Sequence, residues 1–291
     1  GAARLVLDVE VQPGKQTAAL HARPGLWKLV DELAPEARPW LIRGDCQFGQ
    51  EGMMAEAEAR KRPYLFKLRL TRKPKELIRT LERQGGWVEA GQGWQGVEGT
   101  LQLHGWSRSR RVIVLRRKVA RKAVGETTES SVQKLLDWKG VFPVQDASYE
   151  YAVLVTSLAE EILTLAQLYR DRADAENNFD ELKNQWGWAG FTTQDLGRCQ
   201  LAARHIALIY NWWSLFVRLV DPSKRREAIT SRPLLLHAVA RQTTHSGQTI
   251  VTITSAHAER SKMEELLTRA SEFLRELGQA AEQLTRPEKW H

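Results

Sequence analysis

The sequence predicts an α/β fold that is interrupted by an all-β insertion and followed by a helical C-terminal extension. Three observations predict it. Short apolar strands alternate with helices at the start, closely spaced β-prone runs rich in Gly and Trp follow, and long amphipathic helices come last. The predicted parts are residues 1–73, 74–150, 151–220 and 221–291, and the third part completes the α/β unit that the first begins.

The first part alternates strands and helices. We expect strands over Arg4–Val11, Pro39–Arg43 and Tyr64–Leu70, with helices over Pro24–Leu33 and Gln50–Lys61 between them. This alternation predicts some parallel pairing, and open α/β sheets bind ligands at the carboxyl ends of parallel strands. Asp45 directly follows one such strand and is therefore placed for chemistry, although Gly-Asp is also a common turn.

The β-rich insertion begins with a short helix over Lys75–Arg83. Two alternating runs, Thr100–Trp106 and Arg111–Val119, then predict antiparallel strands. Ala120–Lys139 is polar and is expected to be mobile, whereas Glu150–Thr156 is β-prone and returns the chain to the sheet.

The most informative stretch is a predicted helix over Ile162–Trp188, which contains no Pro and no Gly before Gly187. At 100° per residue an apolar stripe is predicted to face the core: Leu168, Ala175, Phe179, Leu182 and Trp186. The neighbouring edge carries four polar residues: Tyr169, Arg172, Glu176 and Lys183. The alternative to a functional edge is a solvated face with i,i+4 pairs that contribute about 0.2–0.5 kcal/mol each.

The C-terminal part is predicted to be mostly helical. Helices are expected over Thr192–Leu219, Ser231–Gln242 and Glu259–Leu284, with a short strand over Thr249–Ser255. No chemistry is assigned to these elements.

Composition narrows the class of protein. Of the 291 residues 42% are apolar and 27% are charged, and the formal net charge of +8 favours a polyanionic partner. The two Cys have the spacing of neither a disulfide framework nor a zinc site, which suits a cytoplasmic protein. No apolar run is long enough to span a bilayer, so no membrane partner is expected.

The polar edge resembles a known family pattern. Its order, Tyr-x2-Arg-x3-Glu-x6-Lys, is similar to the signature of the DDE transposases of bacterial insertion sequences. The string Leu41–Gly49 resembles the block around their second catalytic Asp, with Gln47 in a position where Gly is expected. The resemblance implies a ribonuclease-H-like core and metal-dependent cleavage and strand transfer at transposon ends.

The resemblance also implies roles for individual residues. Asp45 and Glu176 would be catalytic carboxylates that hold Mg²⁺ or Mn²⁺, with two ions only in the complete enzyme. Arg172 and Lys183 would bind phosphates, and Tyr169 would bind a phosphate or orient the Glu. Asp180 lies about 40° from the Glu on the helical wheel and is its local rival, but the family pattern favours Glu176.

Double-stranded DNA, as transposon ends and target, is the expected partner, and a dimer is expected on it. The candidate contacts lie in one of two basic stretches, Arg60–Lys75 and Ser107–Lys122. They are Arg108, Arg110, Arg111, Arg116, Arg117 and Lys118. A charged strand edge that deters aggregation is the alternative.

A DDE site needs one further Asp on an earlier strand. Asp8 lies on the first predicted strand, but too few residues separate it from Asp45 for the elements that the family places between them. The chain is therefore expected to lack the first catalytic Asp and to cleave no DNA alone, with Asp8 and then Glu10 as substitute candidates. Two other functions stay open: an inactive DNA-binding regulator of transposition, and a ribonuclease-H-like nuclease that acts on another nucleic acid.

Overall fold

The computed structural model describes residues 4–13, 18–119, 141–144, 147–236, 240–253 and 260–285. The chain divides into two compact units. One, here called the sheet unit, is Gln12–Ala175, and the other, the helical unit, combines Gly1–Val11 with Glu176–His291. The four-part division predicted from the sequence is a different partition and stays a prediction.

The sheet unit alternates helices and strands, but the strand predicted over Thr100–Trp106 lies earlier, at Trp94–Leu101. Its helices are α1 Ala18–Glu32, α2 Glu51–Ala59, α3 Arg72–Gln84 and α4 Ile162–Arg170, with a short 3₁₀ turn at Pro35–Ala37. Its strands are β1 Ile42–Gly44, β2 Tyr64–Lys67, β3 Val88–Glu89, β4 Trp94–Leu101, β5 Arg110–Val119, β6 Val141–Val144 and β7 Ala147–Thr156. The predicted mobile stretch, residues 120–139, lies outside the described residues.

The strands of this unit form one mixed sheet. Its order is β1-β2-β7-β5-β4-β3, with β6 paired to β7. The β1–β2 pair is parallel, as the sequence predicts, whereas β7 pairs antiparallel with β2 and with β5. The β-rich region therefore extends the same sheet that contains β1 and β2.

Strand residues of alternating parity are buried on opposite faces of this sheet. Tyr64, Phe66, Val112 and Val114 belong to a core that includes residues of α1, α2 and α3. Leu65, which lies between Tyr64 and Phe66, packs in a second core with residues of α4. The residue between Val112 and Val114 belongs to the same second core. This alternation is the period-2 pattern of a sheet covered on both sides.

The helical unit contains longer helices and one hairpin. Its elements are α5 Ala173–Gln185, which the unit boundary crosses, α6 Leu196–Val220, α7 Ala228–Leu236, β8 Ala240–His245, β9 Gln248–Ile253 and α8 Arg260–Thr285. The prediction of a helix through Gln242 is wrong, because Ala240–Gln242 pairs with β9 instead. No helix among the described residues is long and apolar enough to cross a membrane.

The predicted strand over Arg4–Val11 is absent, since residues 4–13 have no regular secondary structure. Two amide side chains of α6 satisfy its backbone instead. Asn211 contacts both the N–H and the C=O of Val6, at 2.9 and 2.7 Å. Gln200 accepts from the N–H of Val11 and donates to the C=O of Val9, both at 2.6 Å. Side chains of α6, rather than a neighbouring strand, therefore pair with the backbone of this segment.

Candidate active site

Asp45 lies at the carboxyl end of β1, as the sequence predicts. The neighbouring β2 runs parallel to β1, with Gly44 opposite Phe66. Asp45 is partly buried, and its Oδ1 accepts a hydrogen bond of 2.9 Å from the N–H of Gln47. This Asx turn is the local role that Gly-Asp suggests. The turn uses one of the roughly four lone-pair sites of the carboxylate, so the side chain keeps the capacity to bind a metal ion.

Gly44 is required by the close approach of Phe48. A Cβ at position 44 would lie 2.7 Å from the Cβ of Phe48, which is closer than such atoms come in proteins. The turn after β1 therefore folds tightly under the strand end, and it fixes the direction in which Asp45 leaves the sheet.

The strand before Asp45 contacts the polar edge of the candidate site. The side chain of Arg43 donates a hydrogen bond from Nη1 to the carbonyl oxygen of Leu168, near the end of α4. Tyr169 is the next residue, and the guanidinium of Arg172 lies 5.3 Å from the centre of its ring. Within the sheet unit, β1 therefore contacts the residue that directly precedes Tyr169, and Tyr169 in turn lies beside Arg172.

The predicted uninterrupted helix is broken between these residues. Helix α4 ends at Arg170 and α5 begins at Ala173, with a turn at Asp171 and Arg172. The N–H of Arg172 bonds to the carbonyl of Tyr169 at 3.0 Å, and the N–H of Ala175 bonds to the carbonyl of Arg172 at 2.9 Å. These i→i−3 bonds are tighter than those of an α-helix, so the helical wheel does not carry through from Tyr169 to Glu176.

Glu176 and Lys183 are both exposed on α5, in the helical unit. The helix ends at Gln185, and Gly187 follows with φ of +89°. The N–H of Trp188 then bonds back at 3.0 Å to the carbonyl of Leu182, six residues earlier, and so satisfies a carbonyl in the last turn of the helix. The helix predicted to continue to Trp188 therefore ends earlier, at Gln185.

The predicted apolar stripe on this helix is only partly buried. Leu182 is buried, whereas Phe179 is 53% exposed and Ala175 is exposed. The predicted stripe is wrong here because the buried face of the helix is rotated toward Glu181, which is buried and has polar partners in the interior. The periodicity of the sequence does not predict that Glu181 is buried, because an isolated Glu on a helix is expected to face solvent.

The other acidic candidates have local partners. Asp180 is exposed, and its Oδ1 accepts from the side-chain amide of Asn184 at 2.8 Å. Oδ1 of Asp8 accepts from the N–H of Val9 at 2.8 Å and lies 3.4 Å from Nη2 of Arg204. Among the described residues, no group of three His, Cys, Asp or Glu side chains is placed to hold a metal ion. A shared site for Asp45 and Glu176 therefore stays a prediction, for which carboxylate oxygens are the right donors.

Arg110 is an interior cation rather than a surface one. Its side chain is 3% exposed and donates from Nη1 to Glu51 at 2.6 Å and from Nε to Glu58 at 2.9 Å. Tyr64 donates its hydroxyl to the same Glu58 at 2.8 Å. The expected nucleic-acid contact at Arg110 is therefore corrected, because its fork is already used between β5 and α2.

The other five predicted DNA contacts differ in how far they reach solvent. Arg116 is paired with Glu82 at 2.6 Å, and Arg111 is paired with Glu98 at 2.6 Å. Arg117 and Lys118 are exposed near the end of β5, and Arg108 is exposed in the loop before it. Arg117 also pairs with Glu150 at 2.8 Å and Arg108 with Glu58 at 3.0 Å, so it is their exposure that distinguishes them. Arg108, Arg117 and Lys118 remain the candidates for phosphate contacts.

The Arg110 network gives a pH-dependent stability. The hydrogen bond from Arg110, which outweighs the opposing effect of burial, lowers the pKa of Glu51 from 4.5 to about 2. A carboxyl with a depressed pKa stabilises the fold above its unfolded pKa, and this contribution is lost as the pH falls through the folded pKa. We expect the difference in free energy of unfolding between the wild type and Glu51→Gln to be largest above pH 4.5 and to shrink toward pH 2. Urea titrations at several pH values measure it, and a constant difference would contradict the assignment.

Comparison with known proteins gives one family. A family model described as Transposase DDE domain group 1 matches residues 1–275 of the chain. The matched range includes Asp45 and all four residues of the Tyr-Arg-Glu-Lys pattern. No curated protein matches the chain.

Proposed function

This chain belongs to the family of transposases with a DDE domain, and from that premise we propose that it acts in DNA transposition by metal-dependent phosphodiester chemistry at transposon ends. One observation carries the assignment to particular residues. Asp45 follows a parallel strand, and Arg43 of that strand binds the carbonyl of Leu168, next to Tyr169. This contact between the strand before Asp45 and the residue before Tyr169 supports the proposal that Asp45 and Tyr169 serve one site.

Asp45 and Glu176 are the proposed metal ligands. Phosphodiester cleavage needs an attacking oxygen and a leaving oxygen, both of which divalent ions stabilise. Mg²⁺ and Mn²⁺ prefer oxygen donors, which these two carboxylates supply. Bound ions would neutralise the charge that develops at phosphate and make a water or hydroxyl more acidic. The contribution of the chain is to hold the carboxylates and the phosphates in register.

Tyr169, Arg172 and Lys183 are the proposed phosphate-binding residues. The guanidinium of Arg172 lies over the ring of Tyr169, and Nη2 of the Arg is 3.5 Å from the phenol oxygen. A stacked guanidinium keeps its orientation, and its planar fork matches two phosphate oxygens. Lys183 is exposed on α5 and acts as a point charge.

The sheet unit supports a ribonuclease-H-like core as the finer proposal for the fold. Its parallel β1–β2 pair with Asp45 at the carboxyl end is the part that this fold requires. The antiparallel strands β3 to β6 then belong to the proposed insertion, and β7 contains the run Glu150–Thr156 that returns the chain to the proposed core. We propose that the protein acts in the cytoplasm as a dimer on DNA, as the family resemblance implies.

The exposed cations at the end of β5 give a prediction for DNA binding. Arg117→Ala or Lys118→Ala is expected to weaken binding to all DNA sequences about equally, because phosphate contacts carry no base information. Each should reduce the slope of log K against log salt by about 0.9, the value for one lost phosphate contact. Fluorescence anisotropy at several salt concentrations measures it, with exposed Lys28→Ala on α1 as the control. Equal slopes in all four proteins would place the DNA elsewhere.

The function itself is tested with DNA that flanks the coding sequence in its genome. The chain is incubated with these fragments and Mg²⁺, beside Asp45→Asn, Glu176→Gln and the control Asp180→Asn. Cleavage near the fragment ends that the first two variants lose and the control keeps supports transposase chemistry. Equally fast cleavage of unrelated DNA would favour a nuclease instead.

The second candidate is a regulator that binds transposon ends without cutting them. The observation that favours it is the count of carboxylates, since the family pattern identifies Asp45 and Glu176, whereas Asp8 bonds to Val9 and lies beside Arg204. Binding of the flanking fragments without cleavage would support this candidate and the prediction that the polypeptide alone is inactive. Failure to bind any DNA would contradict both functions.

A further inference from the structure

Helix α5 has a polar inner face that the proposed chemistry does not use. At 100° per residue, Asn178, Glu181 and Gln185 lie within about 60° of one another, and this arc is centred roughly 180° from Glu176. Lys183 lies on the Glu176 side of the wheel. In the part of α5 that belongs to the helical unit, the side opposite the proposed site is therefore lined by an amide, a carboxylate and a second amide.

The carboxylate of Glu181 is almost completely buried, with 3% of its side chain exposed. Its Oε1 accepts from the N–H of Ala228 at 3.0 Å and from the indole N–H of Trp186 at 3.4 Å. Its Oε2 forms an ion pair with Arg225. Both oxygens are engaged inside the helical unit, so Glu181 is excluded as a metal ligand.

Arg225 extends this pair into a network. The same Nη2 that reaches Glu181 lies 3.3 Å from the side-chain oxygen of Asn178 and 3.3 Å from the hydroxyl of Tyr210. Tyr210, on α6, is fully buried. One guanidinium thus joins two residues of the inner face of α5 to the middle of α6.

Gln185 makes a second set of contacts one turn further along the same face. Its amide accepts from the N–H of Ile229 at 2.7 Å and donates to Glu227 at 2.9 Å. Arg232 donates to the backbone carbonyl of Gln185 at 3.0 Å and lies 3.9 Å from the ring centre of Trp186. The inner face of α5 is therefore held to the first turns of α7 by charged and amide groups.

Polar contacts of this kind tie the orientation of a helix to particular partners. A buried charge is costly to leave without its partners, so α5 is favoured in the orientation that keeps Glu181 beside Arg225. A rotation of α5 by one residue, which is 100°, would move Glu181 away from Arg225 and turn Glu176 away from its present direction. The two events are coupled because both residues are on one rigid helix.

We propose that the Glu181–Arg225 pair positions α5, so that Glu176 and Lys183 present a fixed edge to the DNA phosphates and the metal ions. This inference rests on the proposed function for the role of that edge. The two residues are positioning residues, since they touch neither metal nor substrate. The orientation of α5 is then set by a later segment of the chain, Arg225–Arg232, whose first residue lies 44 positions after Glu181.

The test is hydrogen exchange in wild type and Glu181→Gln. Loss of one charge from a buried, charge-assisted pair is expected to speed exchange of the amides over residues 176–185 by about 10- to 100-fold. The matched control is Arg226→Gln, which breaks another buried pair of this unit, with Asp221 at 2.7 Å and side-chain exposures of 19% and 8%. The control should leave α5 unchanged and affect the end of α6. Arg225→Lys is the milder variant and should give a smaller acceleration at the same amides.

Two results would overturn the inference. One is unchanged protection of α5 in both Glu181→Gln and Arg225→Lys. The other is an equal acceleration throughout the helical unit, which would make the pair a general stabilising contact.

A second readout links the pair to the site. The readout is Mn²⁺ affinity measured by electron paramagnetic resonance. The affinity should fall at least about tenfold in Glu181→Gln, because loss of a residue that orients a metal ligand typically costs about 10–100-fold in affinity. It should stay unchanged in Arg226→Gln. Unchanged affinity in Glu181→Gln would contradict the positioning role. If the wild type itself binds no Mn²⁺, the proposed function fails, whereas the exchange measurement still decides whether the pair holds α5.

Discussion

Asp45→Asn and Glu176→Gln are each expected to weaken Mn²⁺ binding by more than about 10- to 100-fold. The physical reason is that each substitution replaces an anionic oxygen donor with a neutral amide, and loss of a direct ligand costs at least as much as the 10–100-fold typical of outer-shell changes. The two effects should not add, because a single lost ligand already opens the site. Mn²⁺ titration followed by electron paramagnetic resonance, with short duplex DNA present, measures the affinity.

The matched control for this prediction is Asp180→Asn. Asp180 is on the same helix as Glu176, is also exposed, and bonds to Asn184. Asp180→Asn removes one negative charge, as Asp45→Asn and Glu176→Gln do. A general electrostatic effect on Mn²⁺ affinity would therefore appear in all three variants. Mn²⁺ affinity that is equal in wild type and Glu176→Gln, or that falls as far in Asp180→Asn, would contradict the assignment of Glu176.

The second large effect is expected in stability. Arg110→Met should lower the free energy of unfolding of the sheet unit by about 3–5 kcal/mol, because it leaves the carboxylates of Glu51 and Glu58 without their buried partner. Their ion pairs with Arg110 join β5 to α2, at 2.6 and 2.9 Å. Urea titration followed by hydrogen exchange at β4 and β5 measures the change.

Arg117→Met is the control for Arg110→Met. Arg117 is on the same strand and pairs with Glu150 at 2.8 Å, but its side chain is 46% exposed. Exposed pairs contribute about 0–1 kcal/mol, so this variant should remain close to wild type. Equal losses in the two variants would mean that Arg110 stabilises the unit through something other than its buried pairs.

The position of Asp45 could be predicted from the sequence because it depends on neighbours in the chain. A short apolar strand, a Gly and an Asp specify a strand end and a turn, and the parallel β1–β2 pair follows from the strand–helix–strand order. The contact from Arg43 to Leu168 could not be predicted, since 125 residues separate them. Only the folded sheet decides which helix end lies beside β1.

The errors on the key helix have a different cause. No Pro or Gly marks the break at Asp171 and Arg172, so residue propensities give no reason to end the helix there. Burial of Glu181 depends on Arg225, 44 residues away, whose charge makes the interior acceptable for a carboxylate. A hydrophobicity pattern does not include a partner at that distance. It therefore predicted that Phe179 is buried, whereas Phe179 is exposed.

The interior position of Arg110 had a local signal in the sequence. Strand residues of equal parity share a face, and Arg110 has the parity of Val112 and Val114, which are buried in the core beside α2. A cation at that position predicts acidic residues on the covering helix, which Glu51 and Glu58 provide. A count of net charge over the basic stretch treats Arg110 and Arg117 alike, although the first side chain is buried and the second is exposed.

The claim that Asp45 and Glu176 hold the same divalent ion is tested most directly by Fe²⁺-induced cleavage of the polypeptide backbone. Fe²⁺ takes the same oxygen donors as Mg²⁺ and Mn²⁺, and with ascorbate and peroxide it cuts the chain next to where it is bound. We expect cuts beside residue 45 and beside residue 176, and the loss of both cuts in Asp45→Asn and also in Glu176→Gln. Cuts at one of these positions only, or variants that each remove only their own cut, would contradict a shared metal site.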